Sequence, residues 1–140
     1  MTFMSTHRFS LSSAALLCAL LAGNAAHATT VDDLLAQYRN QGAQNFSAER
    51  AQQEWTQEHR DPKTNEMRSC TTCHGRDLKR TGKHATTGKL IDPLAPSAKR
   101  DRLTDPKHIE KWFKRNCTWV LDRECTAQEK GDFLVYLQRQ

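Results

Sequence analysis

Apolar positions along the chain recur at helical spacing, and polar loops separate the periodic segments. Leu34, Leu35 and Tyr38 form a first stripe, which Thr30 is placed to cap with Asp33 as its capping-box partner. Ser47 is placed to cap a second helix carrying Ala48, Ala51 and Trp55 on one face. Thr104-Asp105-Pro106 opens a third, with Pro106 in the first turn, where a missing N–H does no harm. Thr126-Ala127-Gln128-Glu129 is a capping box opening a last helix, in which Phe133, Val135, Tyr136 and Leu137 are the candidates for burial. No strand pattern stands out, so the expected fold class is all-α. Between His74 and Thr104 runs a long connection containing Gly75, Gly82, Gly88, Pro93 and Pro96. Loops of that length are uncommon unless functional, and wrapping one edge of a prosthetic group is such a function.

The N-terminus changes the picture of where the domain begins. Arg8 supplies a positive start, Leu11–Ala22 an apolar run, and Ala26-His27-Ala28 an A-x-A cleavage site. The run is shorter than the ~20 apolar residues of a membrane-spanning helix. The expectation is a signal peptide over residues 1–28 and an exported, periplasmic domain over residues 29–140. Cys18 leaves with the signal. The mature chain has 140 − 28 = 112 residues and, without Arg8, 20 basic against 16 acidic side chains, a net +4. Its cations are scattered and form no basic stripe or nucleic-acid reading motif, so no nucleic-acid partner is expected. A domain this small buries roughly 60–70% of its unfolded surface. Its polar stretches, such as Thr56–Arg68 and Thr81–Lys89, enclose no core alone; a large apolar prosthetic group would fill that gap.

Four cysteines remain, as two pairs, and an even number in an exported chain is expected to be bonded. Cys70-Thr71-Thr72-Cys73-His74 is the C-x-x-C-H pattern of covalent haem attachment. Two intervening residues let both sulfurs reach the vinyl edge of a porphyrin, and His74 then presents imidazole to the iron. A thioredoxin-like pair needs a βαβ setting, which is missing. A zinc site needs a second ligand pair at metal spacing, and seven residues separate Cys117 from Cys125. A Cys70–Cys73 disulfide would close a tiny, strained loop. Cys117 and Cys125 are instead placed to pair with each other, free thiols being the alternative.

The second axial ligand is less simple. The methionines are Met1, Met4 and Met67, none of them after His74, and Met67 is too close to the attachment loop to reach the opposite ring face. In the helix read as Asp105–Asn116, the apolar stripe is Ile109, Trp112 and Phe113, and Asn116 falls on it at i+7. A carboxamide there is unfavourable unless something satisfies it, and iron would. The competing reading is a helix-terminal Asn capping its own backbone. His84 and His108 are rival ligands, with His108 on the Lys111/Arg115 side of the helix, away from the stripe.

The stretches SCTTCHG (Ser69–Gly75), GKHATTGKLIDPLAPS (Gly82–Ser97), KWFKRNC (Lys111–Cys117) and DRECTAQEKGDFLVYL (Asp122–Leu137) together resemble the sphaeroides haem protein family. These are oxygen-binding monohaem cytochromes c grouped under a domain of unknown function. FSAERAQQEW (Phe46–Trp55) fits more loosely. The C-x-x-C-H element says little among cytochromes; the R-N-C run with a second Cys eight positions on is specific. The resemblance implies a class I cytochrome c-like fold around one covalent haem c held by Cys70 and Cys73. It implies His74 as proximal iron ligand and Asn116 as distal ligand beside a Cys117–Cys125 disulfide. It further implies that Asn116 leaves the reduced iron and opens a site for dioxygen or nitric oxide. Redox partners of such proteins include a dihaem cytochrome c and a membrane cytochrome b. Three activities fit: one-electron transfer, binding of a diatomic as sensor or carrier, and redox turnover of a bound diatomic. No residue marks a general acid beside Asn116, although His108, Arg115 and Arg123 are near in sequence, so the enzyme question is open. A plain bis-His carrier is the remaining alternative.

Overall fold

The computed structural model describes Met1 and residues 29–140; the signal-peptide reading and Cys18 lie outside the described residues. Four substantial helices, α1 (Thr30–Asn40), α2 (Ala48–Thr56), α4 (Pro106–Leu121) and α5 (Ala127–Gln138), frame the fold, with one turn of helix, α3 (Thr71–His74), at its centre. Contrary to the strand-free expectation, two small antiparallel ladders punctuate the loops. In the first, β1 (His59–Arg60) pairs with β2 (Met67–Arg68), His59 opposite Arg68. In the second, β3 (Gly82–Lys83) pairs with β4 (Leu90–Ile91), Gly82 opposite Ile91. Two-residue strands leave no period-2 pattern to read. Turn chemistry makes the first: the Asp61 carboxylate accepts from the N–H groups of Lys63 (2.7 Å) and Thr64 (3.1 Å), and Asn65 adopts φ 63°.

The caps of α2 and α5 form as read, Ser47 accepting from Arg50 N and Thr126 exchanging bonds with Glu129. The cap of α1 lies one residue earlier than expected. Thr29-x-x-Asp32 and Thr30-x-x-Asp33 overlap as capping boxes, and the earlier register wins, with Thr29 and Asp32 reciprocally bonded. That choice frees the Thr30 hydroxyl to donate to the Thr104 carbonyl at 2.9 Å, tying α1 to the entrance of α4. Asp105 caps α4, but the helix does not stop near Asn116: it runs to Leu121 and ends at Asp122, in the left-handed region with φ 55°. Asn116 is therefore an interior helical residue, which removes the backbone-capping reading.

Two apolar clusters share the interior. One joins α1 (Val31, Leu34, Leu35, Tyr38) to Ile109 of α4 and Leu134 of α5. The other gathers Ala48, Ala51 and Trp55 of α2 with Phe133, Tyr136 and Leu137 of α5, plus Leu78, Ala95, Cys117 and Cys125. Val135 is only partly buried, and Leu134, which the pattern did not select, is fully buried. Asp132 is the buried charge that registers α5 against α2. It accepts from Arg50 Nε and Nη2, each at 2.8 Å, and from Ser47 N at 2.7 Å. A fully bonded carboxylate of this kind is tolerated inside, whereas an unpaired one is not.

Candidate haem site

The attachment turn is built from its neighbours inward. The N–H of Ser69 donates to Thr72 Oγ1 at 3.0 Å, and its own hydroxyl bonds Thr71 Oγ1 at 2.6 Å. These contacts set up the single turn α3, closed by Gly75 at φ 69°. Trp55 of α2 holds the far side. Its Nε1–H donates to the Gly75 carbonyl at 3.0 Å, and its ring centre lies 5.7 Å from that of His74. Phe133 and Tyr136 of α5 pack on the same indole, at 6.2 and 5.8 Å. Behind the turn, Gly82 of β3 lies against the Cys73 carbonyl, so a Cβ there would collide with backbone.

The long connection folds back on this unit. Leu78 O accepts from the N–H groups of Leu94 (2.9 Å) and Ala95 (3.0 Å), while Arg102 donates to the carbonyls of Pro93 (2.7 Å) and Asp92 (2.9 Å). The length that looked functional is thus ordered by backbone bonds around the attachment turn.

Between α3 and α4 lies a largely apolar cavity, partly open to solvent. Its lining includes Trp55, Phe113, Trp119, Val120 and Phe133, together with the six residues that the family resemblance assigns to the site: Cys70, Cys73, His74, Asn116, Cys117 and Cys125. Neither His84 nor His108 is in the lining. His84 Nδ1 instead accepts from the N–H groups of Thr86 (3.2 Å) and Thr87 (3.3 Å) in its own turn.

The donor set fits a haem. Cys117 and Cys125 are joined in a disulfide, whereas Cys70 and Cys73 carry free sulfurs. Burial pushes the Cys70 thiol up to about 12, with the nearby Glu54 carboxylate adding to the effect. That is the opposite of the depressed thiol of a redox-exchanging C-x-x-C. Burial also drives His74 down to about 4, with Arg102 reinforcing it, so the imidazole is neutral and its nitrogen lone pair is available to a metal. A wall of aromatic and aliphatic side chains facing two thiols and a neutral imidazole suits an apolar macrocycle with iron at its centre.

Comparison with known proteins agrees. Residues 41–137 match the family described as a domain of unknown function, DUF1924. The cytochrome c-type protein SHP of Cereibacter sphaeroides is 45% identical over 128 residues, which cover 89% of this chain and 96% of that protein. The chain belongs to the sphaeroides haem protein family. It superposes on the structure of oxidised SHP, described as an oxygen-binding cytochrome c, with a TM-score of 0.71 and 43% identity over 80% of this chain and 98% of that one. Oxidised cytochrome c'' of Methylophilus methylotrophus is similar too, with a TM-score of 0.69 and 27% identity over 79% and 94% of the two chains. The protein is a monohaem c-type cytochrome of class I-like helical fold, with haem c as its covalent cofactor.

Sequence reasoning missed two parts of this family member's site. Trp55 was read only as a buried face of α2; that it braces His74 and Gly75 depends on a contact across 20 residues. Glu54, a carboxylate lining the cavity and bonded to His59 Nε2 at 2.7 Å, carried no signal at all. Trp112, expected on the buried stripe, is 40% exposed instead. The interior face of α4 is Ile109, Cys117 and Val120, with Phe113 partly buried beside them, and Trp112 lies to one side of it.

Proposed function

We propose that the mature protein is a periplasmic one-electron carrier whose reduced iron accepts dioxygen or nitric oxide because its distal ligand, Asn116, is labile. In this reading Cys70 and Cys73 hold the haem, which supplies one-electron chemistry and a coordination position for a diatomic. His74 gives the proximal nitrogen, kept neutral by burial and oriented by Trp55. Asn116 gives a carboxamide oxygen, a hard donor better matched to ferric than to ferrous iron. The observation that carries the reading is that Asn116 lines the cavity opposite α3, on an unbroken stretch of α4, while both rival histidines lie outside it. The Cys117–Cys125 disulfide supports an oxidising compartment, in keeping with the export signal read at residues 1–28. Electron partners in this scheme are a dihaem cytochrome c and a membrane cytochrome b.

Spectra of the holoprotein test it. The ferric form should lack a thioether charge-transfer band, and the ferrous form should bind carbon monoxide without displacing a strong ligand. Asn116→Ala should retain covalent haem and change the ferric spectrum. A low-spin ferrous protein that refuses carbon monoxide, with an unchanged Asn116→Ala spectrum, would sink the proposal in favour of bis-His electron transfer.

A further inference from the structure

The outer face of α4 carries a feature that haem binding leaves unused. Trp112 is 40% exposed and belongs to neither apolar cluster. Cations cover it: the Arg115 guanidinium is 5.0 Å and Lys111 Nζ 5.9 Å from the ring centre, and the His108 ring lies at 6.0 Å. Among the described residues, Lys107, Lys111 and Arg115 have no carboxylate within ion-pair distance. The one acid of α4, Glu110, is turned away from this face and bonded to Tyr38 and to Lys130. The same side of the helix leads straight to the cavity, because Asn116 and Trp119, at i+4 and i+7 from Trp112, line it.

We propose that Trp112, with Lys111 and Arg115, is the docking surface for an acidic one-electron donor protein. The inference rests on the one-electron reading above. Tryptophan and arginine are the residues that most often anchor protein interfaces, and unpaired surface cations steer an acidic partner toward them. A membrane surface suits the patch less: it offers one ring, and cations lie over that ring, which could enter hydrocarbon only by carrying charge with it. The rival basic surface, on the β3–β4 hairpin around Lys83, has no aromatic anchor. In the transfer the donor loses one electron, ferric iron gains it and becomes ferrous, and no bond is made or broken.

An acidic flavodoxin serves as probe against the holoprotein, with binding measured by calorimetry and reduction by stopped flow at about 20 and 200 mM salt. Trp112→Ala and Arg115→Glu should each weaken binding about tenfold and slow reduction by reduced flavodoxin at low salt. Lys83→Glu should bind within about twofold of wild type, and dithionite should reduce all the variants equally. Trp112 is exposed, so its variants should fold. Unaltered flavodoxin binding by both α4 variants would overturn the proposal, as would loss confined to Lys83→Glu. Binding to phosphatidylcholine–phosphatidylglycerol vesicles that the α4 variants abolish, while flavodoxin binding is untouched, would overturn it too. Wild type that binds flavodoxin through Trp112 yet takes no electron from it or from dithionite would refute the one-electron reading and leave the docking surface standing.

Discussion

Removing the Cys117–Cys125 crosslink should cost stability without moving Asn116, the proposed distal ligand. The bridge spans a sequence separation of 8. Loop-closure entropy for that length is about 8 cal/mol/K, or about 2.5 kcal/mol at 25 °C. Both cysteines are also 6% exposed and part of the apolar core, so truncating them to alanine adds about 1 kcal/mol of lost burial in all. Two forms separate these contributions. Phosphine-reduced wild type keeps its sulfur atoms and should lose about 2.5 kcal/mol; the double variant Cys117→Ala/Cys125→Ala should lose about 3.5 kcal/mol. For a domain of this size the smaller loss lowers the melting temperature by roughly 10 °C. Denaturant unfolding followed by tryptophan fluorescence measures both. The ferric spectrum should not change, because α4 continues helically past Asn116 to Leu121 and holds that residue by its own backbone ladder. Reduced protein that unfolds at the wild-type denaturant concentration would refute the entropic estimate. A shifted ferric spectrum would show that the disulfide, and not the helix, fixes Asn116.

Three further outcomes are expected. Trp55→Phe removes the 3.0 Å bond to the Gly75 carbonyl and should destabilise the holoprotein by about 2 kcal/mol, with a change in the His74 ring resonances by NMR; unchanged resonances would refute the bracing role. Arg123 and Thr126 hold Glu129 at about 2, below its ordinary 4.5. Its folded-state pKa is depressed, so its stabilisation is present above pH 4.5 and is lost as the pH falls toward 2. Allowing for solvent screening, wild type should lose about 1–2 kcal/mol across that window relative to Glu129→Gln, and melting curves that fall in parallel for the two proteins would contradict this. Gly82→Ala should lower the yield of folded holoprotein, since its Cβ meets the Cys73 carbonyl; a normal melting temperature would show that the hairpin can give way.

The four long helices were legible because each opens on a side chain that caps it and carries apolar residues at helical spacing. Where two caps overlapped, at Thr29 and Thr30, the pattern alone did not choose between them, and the structure pairs the earlier cap with a tertiary bond from Thr30 to Thr104. The extent of α4 was misjudged because Asn116-Cys117 reads as a stop, whereas burial of Val120 and the left-handed Asp122 place the end later. The four mature cysteines and His74 were visible because their spacing is a local fact, whereas spacing left Asn116 balanced against a capping reading and the family resemblance singled it out. The bracing by Trp55 and the place of Glu54 in the cavity lining were not, because both depend on how α2 packs against the attachment turn. Trp112 was misassigned for a related reason: helical spacing gives a face but not its edge, and cations over an exposed ring leave no mark in a hydrophobic pattern.

The packing of α1 against α5 through Leu34, Leu134 and Tyr38 also orders events in time. A chain is made from its N-terminus, so α1 emerges long before its final neighbour α5. Until α5 arrives, Phe133 and Tyr136 are missing from the indole of Trp55, and that side of the cavity is unsealed. The thiols of Cys70 and Cys73, in mid-chain, line the cavity on which α5 closes and stay partly exposed in the finished fold. The wall of the cavity is thus completed by the part of the chain that is made last.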